Sequence, residues 1–135
     1  MFRKNLEHEL CKELVLWSRL FSRKYPCLQY LYHIPNEGRR NPRIASEIGI
    51  LSGVSDYHLP VRSGPHLGLY LEIKAPGKKP TVAQQGWLEE MRRQGHRAEW
   101  TDDLQTAINI LEEYARGVLL VTQPLISRIS NGGIQ

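Results

Sequence analysis

Residues 69–80 read LYLEIKAPGKKP. Branched, aromatic and leucine side chains run from Leu69 to Ile73, and Pro76 with Gly77 then stops them, which is the pattern of a strand leading into a turn. Successive side chains on a strand point to opposite faces, so Leu69, Leu71 and Ile73 share one face and Tyr70, Glu72 and Lys74 the other. Glu72 and Lys74 therefore stand ~7 Å apart along one face of an otherwise apolar strand. A structural ion pair is one explanation for them. A catalytic pair is the other, and the neighbouring segments bear on the choice.

Immediately upstream, SDYHLPV (55–61) reads as a short strand and RSGPHLG (62–68) as a Gly/Pro turn, which together predict an antiparallel hairpin. Hairpin pairing brings Asp56 beside Glu72. Two carboxylates held close repel each other, and a hard divalent cation with oxygen ligands is the natural way to keep both ionised. Mg²⁺ or Mn²⁺ suits a site built from Asp56, Glu72 and the backbone carbonyl of Ile73. Lys74, on the same face, could help activate water or stabilise charge developing on a phosphate, which points to phosphodiester hydrolysis.

Downstream, Thr81 and Gln84 stand in capping-box spacing at the start of a helix with Trp87, Leu88 and Met91 inward and Gly95 at its end. Gln84 lies on that inward stripe, so it serves either the cap or the site. HRAEW (96–100) reads as a strand; Asp102 with Gln105 offers a second capping box, before a helix burying Leu104, Ile108, Leu111 and Ala115. Toward the N-terminus, Leu6, Leu10, Leu14, Trp17 and Phe21 predict an amphipathic helix ending before Pro26. Glu7 lies beside that apolar stripe, where it could reach the metal or simply favour the helix dipole; Glu9 faces further outward. LQYLYHI (28–34) has strand composition, PNEGRRNP (35–42) is a loop, and Ile44, Ile48 and Leu51 mark a short helix closed by Gly53. The order is helix, strand, helix, two strands, helix, strand, helix: an α/β fold with a mixed sheet flanked by helices.

A chain of 135 residues accommodates one ordinary domain, expected over 1–116, with 117–135 as a C-terminal tail that could form an edge or a subunit contact. With no long apolar run and no signal-peptide core, the expectation is a cytoplasmic protein without membrane contact. Cys11 and Cys27 form no CxxC pair, which suggests neither a zinc ribbon nor a disulfide framework. The net charge is +4 and the pI about 9.2. The cations cluster: Arg39, Arg40 and Arg43 in one loop and Lys78 and Lys79 in another are candidate DNA-backbone contacts, with Asn36 beside the former. His33, at a strand end, is expected to be structural.

The series HIPNEGRR, GILSGVSDYHLP and GLYLEIKAPGKKPTVAQQGWLEEMRRQGHRA resembles the VRR-NUC family of the PD-(D/E)XK nuclease superfamily, in particular its stand-alone phage and bacterial members. The likeness runs from Glu7 to about Tyr114. It implies a restriction-endonuclease-like core and a metal-dependent DNA endonuclease in which Asp56 and Glu72 bind Mg²⁺ or Mn²⁺, Lys74 assists catalysis, and Gln84 is the glutamine of the following helix. It further implies a homodimer acting on branched DNA such as Holliday junctions. The chain departs from the family pattern at three places: EHELC stands for E-x-x-L-Q, aligning Glu7 and putting Cys11 in place of glutamine; NEG stands for N-G-G; and GVSD stands for G-V-P-D. Two other classes compete with this reading, a nucleic-acid binding module that does not cleave and a structural or assembly protein in which Glu72 and Lys74 are only an ion pair.

Overall fold

The computed structural model describes residues 6–35 and 41–118. Its elements follow the expected order: α1 (Leu6–Leu20), a 3₁₀ turn (Pro26–Tyr30), β1 (Tyr32–His33), α2 (Pro42–Glu47), β2 (Tyr57–Leu59), β3 (Leu69–Ile73), α3 (Val82–Arg93), β4 (Arg97–Thr101) and α4 (Leu104–Arg116). The sheet order is β1-β2-β3-β4. β1 pairs with β2 and β2 with β3 antiparallel, while β3 and β4 run parallel. A parallel pair needs a crossover, and α3 supplies it.

The sheet is covered on both faces. Tyr57, Leu59, Leu69, Leu71 and Ile73 form a continuous core with Leu14 of α1 and with Ala107, Ile110, Leu111 and Tyr114 of α4. On the other face Tyr70 stacks on His58 at 4.4 Å between ring centroids and meets Trp87 of α3 edge-on at 5.5 Å. This double covering is why β3 is buried at nearly every position, Glu72 included. No helix among the described residues is long and apolar enough to cross a membrane.

Four local expectations are corrected. Most of 28–34 is not strand: Pro26 starts a 3₁₀ turn, Cys27 and Leu28 tuck into the core, and only Tyr32–His33 pair with β2. Proline presets the helical φ and suits a first-turn position, which here outweighs the strand composition that follows. Asn41 caps α2, accepting from the Arg43 N–H at 2.9 Å, and the helix ends at Glu47, before Gly49 at φ 84°, rather than reaching Gly53. Ile44 within it and Ile48 at its C-cap are 52% and 61% exposed, so packing does not extend it. Third, α4 is capped by Asp103, whose carboxylate accepts from the Thr106 N–H at 2.9 Å, because Asp102 is turned away to accept from the Gly77 N–H at 2.8 Å. Finally, the buried face of α4 is Ala107, Ile110, Leu111, Tyr114 and Ala115, with Leu104 and Ile108 at its margin. Of the expected tail, Val118 packs partly against the core, and 119–135 lie outside the described residues.

Candidate active site

The hairpin register pairs Tyr57 with Leu71, so continuing it by one residue sets Asp56 opposite Glu72. Both carboxylates are buried, at 6% and 1% exposure. Each is held by a backbone N–H from across the hairpin: Glu72 Oε1 accepts from the Asp56 N–H at 3.1 Å, and Asp56 Oδ2 accepts from the Ile73 N–H at 2.8 Å. The Ile34 N–H donates to the Asp56 carbonyl at 2.7 Å and the Lys74 N–H to the Thr101 carbonyl at 2.9 Å, which anchors both ends of the motif to neighbouring chain. Lys74 directs Nζ to 3.8 Å from Glu72 Oε2, with its side chain 13% exposed.

These are two carboxyl groups with the Lys74 cation at their edge, in a largely dry setting. Burial first, and then the hydrogen-bonded and charged Asp56 carboxyl, push the Glu72 carboxyl up to about 9, against the opposing pull of Lys74. Glu7, half-buried near the start of α1, is also pushed up, by burial and then by the charge of Asp56, with Lys74 acting the other way. Glu7 thus lies within the electrostatic reach of the pair. Glu9 is exposed.

Gln84 does take part in the cap: Oε1 accepts from the Thr81 N–H at 2.8 Å while Thr81 Oγ1 accepts from the Gln84 N–H at 3.2 Å. It also shares with Asp56 the wall of a cleft of about 440 Å³ between α2 and the start of α3. With Oε1 committed to the cap, Nε2 is the atom that can serve the cleft. The loop before Asp56 reaches this place through Gly53, at φ 90°, where a Cβ would lie 2.6 Å from the Ala83 carbonyl oxygen. A second and larger cleft, about 900 Å³, runs beside α1 and has Glu7 and Tyr57 in its wall.

The remaining candidates are spread out. Arg43 pairs with Glu47 at 3.1 Å on the exposed side of α2. Lys78 and Lys79 are exposed on the turn after Lys74 that Asp102 ties down. His33 meets Tyr57 edge-on at 5.4 Å and lines the α1 cleft. Asn36, Arg39 and Arg40 lie outside the described residues. Sequence reasoning passed over Ser55, which is buried with its hydroxyl unpartnered among the described residues, and Lys12 and Arg19 on α1.

The donor set suits a divalent ion. Two buried carboxylates press together, with the Ile73 backbone beside Asp56, and no group of three or more His, Cys, Asp or Glu is gathered among the described residues. An all-oxygen set of this kind is the chemistry of Mg²⁺ or Mn²⁺ rather than of zinc.

No protein-family model matches this sequence, and no curated protein does either. A solved structure described as "VRR_NUC domain protein" is similar, with a TM-score of 0.71 and 22% identity over 84% of this chain and 90% of that one. This chain has the fold of a VRR_NUC domain protein.

Proposed function

We propose that this protein is a nuclease of the VRR-NUC family, a metal-dependent endonuclease that hydrolyses DNA phosphodiester bonds. The observation that carries the reading is the buried Asp56–Glu72 pair with Lys74 at its edge, where the start of β2 meets the end of β3 in a VRR_NUC-type fold. A purely structural ion pair would need one carboxylate; the second raises the cost of burying the first and calls for a further cation.

Asp56, Glu72 and the Ile73 carbonyl would hold Mg²⁺ or Mn²⁺, which when bound supplies Lewis-acid activation of water and neutralises phosphate charge. Lys74 stabilises charge on the attacked phosphate, and its ion pair with Glu72 limits where Nζ can sit. Glu7 borders the same charges and orients groups on the α1 side. Gln84 positions the start of α3 and offers Nε2 to the cleft. Arg43, Lys78 and Lys79, with Asn36, Arg39 and Arg40, grip the DNA backbone.

The finer reading is branched DNA, with the four-way junction as its specific case, cut by a homodimer. Two symmetric incisions need two sites, which a twofold pair supplies. The test is cleavage of matched Holliday junction, splayed-arm and linear duplex DNA with Mg²⁺, Mn²⁺ or EDTA, alongside Lys74→Ala. Metal-dependent paired nicks on the junction, lost in the variant, are the expected result. Binding without cutting in either metal would overturn the nuclease reading, and cutting of linear duplex as fast as junction would overturn the branched-DNA reading.

A further inference from the structure

We propose that the cleft along α1 holds a single-stranded DNA arm leaving the Asp56–Glu72 site, an inference that rests on the nuclease reading above. The cleft is about 900 Å³, and its wall includes Glu7, which lies within reach of the Asp56 charge, and Tyr57, the residue after Asp56. Glu7 is thus the link between the cleft and the carboxylate pair, and α1 carries the cleft away from there.

Its rim carries two permanent cations, Lys12 and Arg19, with the Glu7 carboxyl at one end. His8, Lys12 and Arg19 line it from α1 at positions i, i+4 and i+11, and His33 faces them from β1. All four are exposed. From His8 to Arg19 the helix rises ~16 Å. Neither Lys12 nor Arg19 belongs to an ion pair among the described residues, in contrast to Arg43, Arg93, Arg97 and Arg116. Among the described residues their charge is uncommitted.

The floor is apolar. Tyr57 is buried in it, and Cys11 and Val15 are the outer edge of the core; Leu16 stands 58% exposed on the wall. A duplex turns phosphate and sugar toward a protein groove and keeps its base faces stacked inside, so an apolar floor gives it little. An unpaired strand offers both, its phosphates to a cationic rim and its bases to an apolar or aromatic surface, which is the general pattern of single-strand grooves. The charge complementarity and the floor thus favour an unpaired arm over a duplex arm. The second cleft, with Asp56 and Gln84 in its wall, stays free for the paired part of the substrate.

The experiment is fluorescence anisotropy in EDTA with three labelled DNAs of common sequence: a blunt duplex, a fully paired four-way junction, and the duplex with a single-stranded arm of either polarity. Wild-type protein is expected to bind one armed DNA at least about tenfold tighter than the blunt duplex. Lys12→Ala/Arg19→Ala, at exposed helix positions where alanine keeps the helix, is expected to bring that ratio close to one. It should also reduce the slope of log affinity against log salt on armed DNA by about 1.4, two contacts at ~0.7 each. Should the double variant melt early, Lys12→Gln alone is read the same way, with a slope change of about 0.7. Equal wild-type affinity for armed and blunt DNA would overturn the proposal, as would equal weakening of both DNAs in the variant. Cleavage of branched DNA with Mn²⁺ by the same preparation separates the two readings: cutting without arm preference rejects the cleft assignment alone, and arm preference without cutting rejects the nuclease alone.

Discussion

At Glu72 a carboxylate is buried against a second carboxylate, and that contact makes stability depend on pH in a defined sense. Its folded-state pKa is raised from an ordinary value of 4.5 to about 9, so the metal-free fold takes up a proton the unfolded chain does not hold. Stability from this group is fully present below about 4.5 and is lost as pH rises toward about 9. Glu72→Gln removes the titrating group; in EDTA its Tm should exceed that of the wild type, with the gap widening from acid to alkaline pH. A constant gap across that range would mean that Glu72 is not the group responsible. Lys74 is the complementary case: Lys74→Ala removes the cation paired to Glu72 and is expected to lower the cleavage rate by about 10²-fold or more, while circular dichroism stays native. Initial rates on junction DNA with Mn²⁺ check it.

Between elements, the site depends on where the loop at Gly53 meets the start of α3. Gly53→Ala forces a Cβ against the Ala83 carbonyl at a positive φ and should destabilise by about 2 kcal/mol or more, read from the urea midpoint. Because that contact sets the wall shared by Asp56 and Gln84, cleavage should fall beyond what the lost stability accounts for. The caps give a sharper comparison. Asp103→Ala should lower the melting temperature through loss of the α4 cap, whereas Asp102→Ala leaves that cap in place and frees the Gly77 turn carrying Lys78 and Lys79. Equal destabilisation with unchanged DNA affinity in both would contradict the separate roles. The capping-box spacing at Asp102 was misleading because two adjacent aspartates can each cap a helix locally, and only the long-range partner Gly77 chooses between them.

For the molecule as a whole, a divalent ion that binds the folded carboxylate pair and not the unfolded chain must raise stability by mass action. At a metal concentration a hundredfold above Kd the gain is about 2.7 kcal/mol. Calorimetry with and without Mn²⁺ should show that gain in the wild type and its loss in Asp56→Asn; an equal shift in both would put the ion elsewhere. The same fold lets α1 and α4 cover one face of the sheet and α3 the other, so carboxylates from the hairpin and Glu7 from α1 reach one neighbourhood at the end of the sheet.

The sequence by itself determined the element order, the antiparallel hairpin, the alternation on β3 and therefore the approach of Asp56 to Glu72 and Lys74. These follow from period-two patterning, Gly/Pro turn chemistry and caps, which are properties of near neighbours in the chain. Tertiary structure decided what such periodicity does not encode. It turned 26–30 into a 3₁₀ turn by drawing Cys27 and Leu28 into the core, left α2 with its isoleucines exposed, and selected Asp103 as the α4 cap. It also brought Glu7, rather than Glu9, into the field of Asp56 and opened the α1 cleft beneath Lys12 and Arg19. Burial and charge proximity are sums over residues distant in sequence, so they exist only once the helices have packed on the sheet.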